Sequence, residues 1–364
     1  MKVELLSVLC LFILRISSIK QVSHENHQDQ YLITKSATRK SDVGEDQITS
    51  LLFLVSYDGG RFTGWSAANR LANQTGFVRS VEGVLRKNLS KIFGDVDESR
   101  IIIEATSRTD KGVHAKGMVV QAYCLSQDWQ TIGALPLIPG KRLPHPQSSI
   151  DNTCFVPFRM PPPSLLVVLN RMLPDDVSVL GVSPSPFQQH RPFHPTLDAE
   201  KKTYQYWFSF GPIPDPSMWR RTWHVGHVFD ASRLDAVCAS LRGMHDFRAF
   251  RGAPRGKSDR RKQLKESTIC SLFDVSLEKD TTPCPILGLH TYQLSVTGDR
   301  FLYKMVRFLV GSLVALGLGK IKQEDIVHAL ETGSFDPRQR PPCAPGNGLL
   351  LAAVEFKSDI NWLS

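Results

Sequence analysis

Between Leu51 and Phe356, short apolar runs of strand character alternate with stripes of helical spacing. Mixing of this kind in both halves of a chain points to an α+β architecture. Residues 51–57, LLFLVSY, read as a buried strand that stops at the turn Asp58-Gly59-Gly60. Val81, Val84, Leu85, Leu89 and Ile92 share one helical face, and Ser80 before them suits the N-cap. Residues 101–105 and 117–123 are the next strands, with the polar loop TSRTDKGVHA between them. Residues 134–163 are Pro-rich and irregular and read as an insertion or a long surface excursion. A helix is predicted over 164–172, ended by Pro174-Asp175-Asp176.

The second half opens on the aromatic strand pattern KTYQYWFSF at 202–210. A helix is predicted over 230–242, a pair of strands over CSLFDVSLEK and LHTYQLSVTG, a long apolar helix over Phe301–Leu318, a helix around Ile326–Leu330 and a closing buried strand at 348–356. Lys304 and Arg307 interrupt the start of the long helix and leave 11 uncharged residues, Phe308–Leu318, too few to cross a bilayer. The expectation is therefore two α+β domains, 50–190 and 191–364, with largely antiparallel sheets flanked by helices and a boundary near 183–198. No G-x-G-x-x-G opening and no phosphate-binding P-loop is present, which disfavours the nucleotide-cofactor folds.

Residues 1–49 stand apart. Lys2 precedes the apolar run Leu5–Leu14, which is similar to a short signal-peptide core, and the later Arg15, Lys20, Lys35, Arg39 and Lys40 suit an organelle presequence. Glu4, Glu25 and Asp29 count against an acid-poor transit peptide, and a disordered extension is the plain alternative. Location is thus left between an organelle, chloroplast or mitochondrion, and the cytoplasm or nucleus. The seven cysteines are odd in number, widely spaced and form no C-x-x-C pair, so neither a disulfide framework nor a Cys-rich zinc site is expected. The net charge of +9 favours a polyanionic partner. Arg248, Arg251, Arg255, Lys257, Arg260 and Arg261 concentrate this charge in one stretch, the candidate phosphate-binding cluster. No basic amphipathic helix of the membrane-surface kind stands out, and integral membrane association is not expected.

The chemistry-bearing segment is Ser107-Arg108-Thr109-Asp110-Lys111-Gly112-Val113-His114-Ala115. One carboxylate lies here among Arg108, Lys111 and His114. A nearby guanidinium keeps a carboxylate ionised and aims it, as a nucleophile requires. Gly112 allows a tight backbone turn beside it.

This segment closely resembles the signature G-R-T-D-x-G-V-H of the TruA-type tRNA pseudouridine synthases. Further elements resemble that family in order: YDGGRFTGW at 57–65, SVEGVLRKNL at 80–89, LNRMLPDD at 169–176, FHPTLDAEKKTYQY at 193–206, MHDFRAFRG at 244–252, FLYKMVRFLVGSL at 301–313 and APGNGLLLAAVEF at 344–356. The resemblance spans roughly 51–356 and implies a pseudouridine synthase-like fold with the active-site cleft between the two domains. It puts Asp110 on the nucleophilic aspartate and Arg108 on the arginine that pairs with the carboxylate and fills the space left by a flipped base. Tyr204 falls on the aromatic residue that packs against the target base, and Arg307 on the arginine that salt-bridges the aspartate. Lys111 and His114 join the arginine stretch as expected RNA contacts. The implied reaction converts uridine to pseudouridine in the anticodon stem-loop of tRNA, at positions 38–40. It imports no group and oxidises nothing, so neither a cofactor nor a metal is expected. The resemblance also implies a homodimer, for which the residues themselves give no signal.

Three departures from the family pattern stand out. Ser107 replaces a usual glycine, Thr196 stands where an arginine is frequent, and 134–163 exceeds the compact bacterial form. The competing reading is a non-catalytic RNA-binding or RNA-chaperone relative, followed by a structural ribonucleoprotein component. Glycoside hydrolysis normally wants a second placed carboxylate, and the sequence offers Asp110 no evident one.

Overall fold

A computed structural model describes residues 48–66, 79–128, 145–146, 154–186, 191–226, 228–254, 263–281, 286 and 288–364. Its described strands are β1 (Ser50–Tyr57), β2 (Ile101–Ala105), β3 (His114–Leu125), β4 (Phe155–Val156), β5 (Val177–Pro184), β6 (Ala199–Phe210), β7 (Trp223–His224), β8 (Gly243–Asp246), β9 (Ile269–Lys279), β10 (His290–Gly298) and β11 (Leu349–Phe356). The described helices are α1 (Val81–Ile92), α2 (Pro162–Met172), α3 (Leu234–Leu241), α4 (Met305–Gly317) and α5 (Gln323–Thr332). The α+β class and the helix-flanked sheet are as the sequence predicts.

The strands join in one sheet of order β5-β1-β3-β11-β6-β10-β9-β8, with β2 and β4 on β3 and β7 on β6. The sequence predicts a sheet in each half. The halves share one instead, because the C-terminal strand β11 returns to lie between β3 and β6. The expected boundary near 183–198 falls on the connection from β5 to β6, and both sides belong to the unit Gln47–Ser364. All the pairings are antiparallel except β11 with β3 and β7 with β6.

Register explains where the polar loop sits. β1 pairs along one edge of β3, from Ala115 to Tyr123. The other edge is divided: β2 takes Val120–Cys124, and β11 takes His114 and Ala115. The chain leaves β2 after Thr106, whose N–H still donates to Val119, and re-enters β3 at His114. Residues 107–113 therefore occupy the gap where that edge passes from one partner to the next. At Gly117 a Cβ would lie 2.6 Å from the Ala352 carbonyl oxygen, so the close approach of β11 there needs glycine.

Sequence signals account for most boundaries. The Ser80 hydroxyl accepts from Gly83 N–H and caps α1, whose Val81, Leu85 and Leu89 are buried. Helix α2 begins at Pro162, two residues before the predicted start, because proline suits the first helical turn and lacks only an N–H that would have no partner there. The stretch 134–163 is thus not wholly irregular: β4 pairs with β3 at Cys124 and Leu125, while 129–144 and 147–153 lie outside the described residues. Helix α3 is shorter than the predicted 230–242, and α4 starts at Met305 rather than Phe301. Lys304 takes a left-handed conformation, φ 60°, and turns the chain into the helix at that point. Helix α5 ends on Gly333 at φ 74°. Helix α4 is buried along almost its whole length, and no described helix is long and apolar enough to cross a membrane. Among the described residues Cys124, Cys238, Cys270 and Cys343 are free thiols.

Candidate active site

Asp110 sits on the 107–113 loop and Arg307 in the first turn of α4. The Arg307 Nη1 donates to Asp110 Oδ2 at 2.9 Å, across 197 residues of sequence. Both side chains are largely buried, 16% exposed for Asp110 and 13% for Arg307. Arg307 is fixed independently: its Nε donates to the Ala344 carbonyl at 2.6 Å, and the Ala344 N–H donates back to the Arg307 carbonyl. The segment APGNG before β11 thus aims the guanidinium at Asp110.

The loop is fastened from below by two buried tyrosines. Tyr57, at the end of β1, shares a hydrogen bond of 2.7 Å with the Thr109 hydroxyl. Tyr204, on β6, shares one of 2.9 Å with the Ser107 hydroxyl. Ser107 and Thr109 are thus both tied to the sheet, and Asp110 directly follows them. The Trp65 N–H adds a bond to the Thr109 carbonyl at 3.0 Å, so the segment YDGGRFTGW is a seat for this loop. Gly112 completes the turn at φ 79°, as its residue type predicts. Gly346 lies so near that a Cβ on it would stand 2.4 Å from the Lys111 carbonyl oxygen.

Tyr204 is 7% exposed, and its ring meets Phe301 edge-on at 4.9 Å between centroids. Burial raises the phenol above its ordinary value, the Ser107 bond works in the opposite direction, and the Asp110 charge adds to the rise. Burial likewise pushes the Tyr57 phenol up. Both phenols are neutral near pH 7, so in the free protein Tyr204 is a hydrogen-bonding aromatic surface and not a phenolate base.

The remaining predicted residues separate in space. Arg108 is exposed, and among the described residues it makes no ion pair, whereas the distant Arg307 pairs with Asp110. Lys111 is also exposed. His114, expected as an RNA contact, opens β3 and is only 6% exposed. Its Nδ1 accepts from Gly59 N–H at 3.2 Å, and its Nε2 lies 3.1 Å from the carbonyl oxygens of Arg220 and Asn347. These contacts make it a strut between the loop, β1 and the segment before β11. Arg248 is exposed and pairs with Asp246 at 2.7 Å, while Arg251 donates to the Gln263 carbonyl at 2.9 Å. Arg255, Lys257, Arg260 and Arg261 lie outside the described residues. Thr196 donates its hydroxyl to the Ala105 carbonyl at 2.8 Å and so closes the end of β2. Among the described residues no group of three or more His, Cys, Asp or Glu side chains is placed to hold a metal ion.

Sequence reading missed Tyr57, the Ser107–Tyr204 bond and the Ala344 carbonyl as parts of the site. Their only signal was membership of the ordered segments, since hydroxyl pairings across 52 and 97 residues leave no local pattern.

Comparison with known proteins bears on this arrangement. A family model described as tRNA pseudouridine synthase matches residues 237–357, which include Arg307 and Ala344. The tRNA pseudouridine synthase A of Acetivibrio thermocellus is 27% identical over 303 residues, covering 83% of this chain and 98% of that protein. The tRNA pseudouridine synthase A of Methylacidiphilum infernorum is 28% identical over 305 residues, 84% of this chain and 94% of its own. The tRNA pseudouridine synthase A 2 of Protochlamydia amoebophila is 27% identical over 320 residues, 88% of this chain and 99% of its own. These alignments extend well beyond 237–357, so the likeness takes in much of the first half as well.

Proposed function

We propose that this chain, which is similar to tRNA pseudouridine synthases over most of its length, is a TruA-type enzyme that isomerises uridines of the tRNA anticodon stem-loop, at positions 38–40, with Asp110 as the reacting carboxylate. General tRNA pseudouridine synthase activity is what the relatives support. The observation that carries the finer reading is the contact between Asp110 and Arg307, a carboxylate held in one direction at the meeting of β3, β11 and α4. A structural surface pair needs no such arrangement, in which the arginine is oriented from a second element.

The reaction balances without any added group. The N1–C1′ bond of the uridine breaks, the uracil turns, C5 bonds to C1′, and the proton leaves C5. Asp110 serves by attacking the sugar or by promoting loss of the base, and in both routes Arg307 keeps the carboxylate aimed. The target nucleotide leaves its stack to reach the loop. Tyr204 offers its ring face to the detached uracil and holds it through the turn. Arg108, exposed on the loop beside Asp110, fills the space the base vacates. The sheet portions 50–190 and 191–364 act as the two walls of the RNA cleft. Lys111, Arg248, Arg251 and the arginine stretch after them contact phosphates, and the enzyme works as a homodimer.

Site mapping tests this reading. Unmodified tRNA transcripts are incubated with the enzyme, and each pseudouridine is located by carbodiimide adduct formation and primer extension. Stops confined to positions 38–40, lost when those uridines are replaced by cytidine, are expected. Stops elsewhere in the tRNA contradict the assigned site while leaving the chemistry intact.

A further inference from the structure

Lys202 lies on β6 two residues before Tyr204, so both side chains leave the same face of the strand. Its Nζ donates to the Thr106 carbonyl at 2.8 Å, at the residue where the chain departs from β2 into the Asp110 loop. The next residue, Ser107, is the one that holds the Tyr204 hydroxyl. Lys202 and Tyr204 therefore grip adjacent points of the loop from one strand face.

Among the described residues the charge of Lys202 meets no opposite charge. Among the described residues no Asp or Glu lies within ion-pair distance of it, and its cross-strand neighbours are Val354 and Gly298. Lys201 beside it faces the other way and meets Glu355 at 3.7 Å. Burial pushes the Lys202 ammonium down to about 8. An ammonium drawn partly out of water is costly unless paired, and one carbonyl satisfies only one of its three donors. A neutral uracil oxygen would leave the charge unbalanced, whereas a phosphate carries both the acceptor oxygens and the opposite charge.

Resting on the reading of the site given above, we propose that Lys202 is a substrate-binding residue that takes the RNA backbone phosphate next to the uridine stacked on Tyr204. The phosphate supplies the counter-charge that the described residues do not. Lys202 and Tyr204 then fix the target nucleotide at two points, its backbone and its base, on either side of the sugar that reacts.

The test follows the salt dependence of binding. Affinity for an unmodified tRNA transcript is measured over a range of salt concentrations for wild type, Lys202→Met and Lys202→Arg, with kcat and KM for each. Lys202→Met is expected to bind about tenfold more weakly at low salt, and its plot of log affinity against log salt to be shallower by about one phosphate contact. Lys202→Arg keeps the wild-type slope. A lysine that only props the Thr106 carbonyl would change turnover without changing that slope. Should Lys202→Met not fold, reductive methylation of the wild type read by mass spectrometry serves instead, with Lys202 modified in the free enzyme and protected by tRNA. Wild-type slope in Lys202→Met, or no protection by saturating tRNA, overturns the phosphate contact alone. Absence of tRNA binding and of pseudouridine formation by the wild type overturns the reading of the site and this inference together.

Discussion

Two aspartates of this protein meet arginines, and the two meetings are built differently. Asp176, just before β5, is gripped by a fork: Arg79 gives one nitrogen to each carboxylate oxygen, at 2.6 and 2.7 Å, and Arg61 adds a third bond at 3.0 Å. Arg79 also lies over the Phe62 ring, 4.3 Å from its centroid. Asp110 meets Arg307 through one nitrogen and one oxygen, and the Nε of that arginine is committed to the Ala344 carbonyl. A fork across both oxygens makes a clamp. A single N–H from a guanidinium fixed elsewhere sets a direction. The first arrangement ties together the chain around β1 and β5, and the second presents a carboxylate on a loop. Equal residue types thus form a clamp in one region and, on the proposed reading, serve chemistry in the other, and the geometry distinguishes them where charge alone does not.

The contrast can be broken by exchanging the effects of substitution. Asp110→Asn is expected to lower turnover by at least roughly a thousandfold while leaving the unfolding temperature close to that of the wild type, checked by pseudouridine formation and thermal denaturation. Arg307→Met comes next, with kcat reduced about a hundredfold. Arg307→Lys does not restore it, because one ammonium does not reproduce the fork that bonds Ala344 and Asp110 together.

Asp176→Asn works the other way. It costs about 2 kcal/mol of stability in denaturant unfolding, discounted for the exposure of Arg61, and leaves kcat of the folded enzyme unchanged. Burial of Asp176 by itself would raise its carboxyl, but the Arg79 bonds and the Arg79 and Arg61 charges outweigh it and hold the group below its ordinary value. Near pH 4 the folded protein therefore binds fewer protons here than the unfolded chain. The stabilisation is complete above the ordinary carboxylate value of about 3.9 and is lost as pH falls through the lower folded value. The variant should lack that part of the acid sensitivity. Equal acid sensitivity in the two proteins would show that the clamp is not stabilising.

The smallest effect sharpens the account of the loop. Tyr204→Phe keeps the ring and removes the bond to Ser107, and kcat should fall by less than about tenfold. Tyr204→Leu removes the stacking surface and should fall further.

Much of this is legible in the sequence. Ser80 and the apolar stripe behind it fix α1 to the residue, because capping and periodicity are local properties. The ordered family segments bring Asp110, Tyr204 and Arg307 to notice, and all three meet at one loop. What the sequence conceals is non-local. The start of α4 depends on Lys304 in a left-handed conformation, which residue type does not announce. The single sheet depends on where β11 inserts, a choice made by long-range pairing. His114 looks like a loop residue because the strand after it is legible only from Gly117, yet β3 begins at His114 and buries it. The charges nearest Asp110 in sequence, Arg108 and Lys111, are exposed, and its guanidinium arrives from a helix 197 residues away.

The central claim, that the carboxylate aimed by Arg307 carries out a uridine isomerisation, is tested most directly by tritium release from tRNA labelled at uridine C5. Carbon C5 must lose its hydrogen to join the sugar, so release reports the isomerisation itself. The account predicts release with wild type and none above background with folded Asp110→Asn. Undiminished release by that variant, or tight tRNA binding by the wild type with no release from any unmodified tRNA, would contradict it.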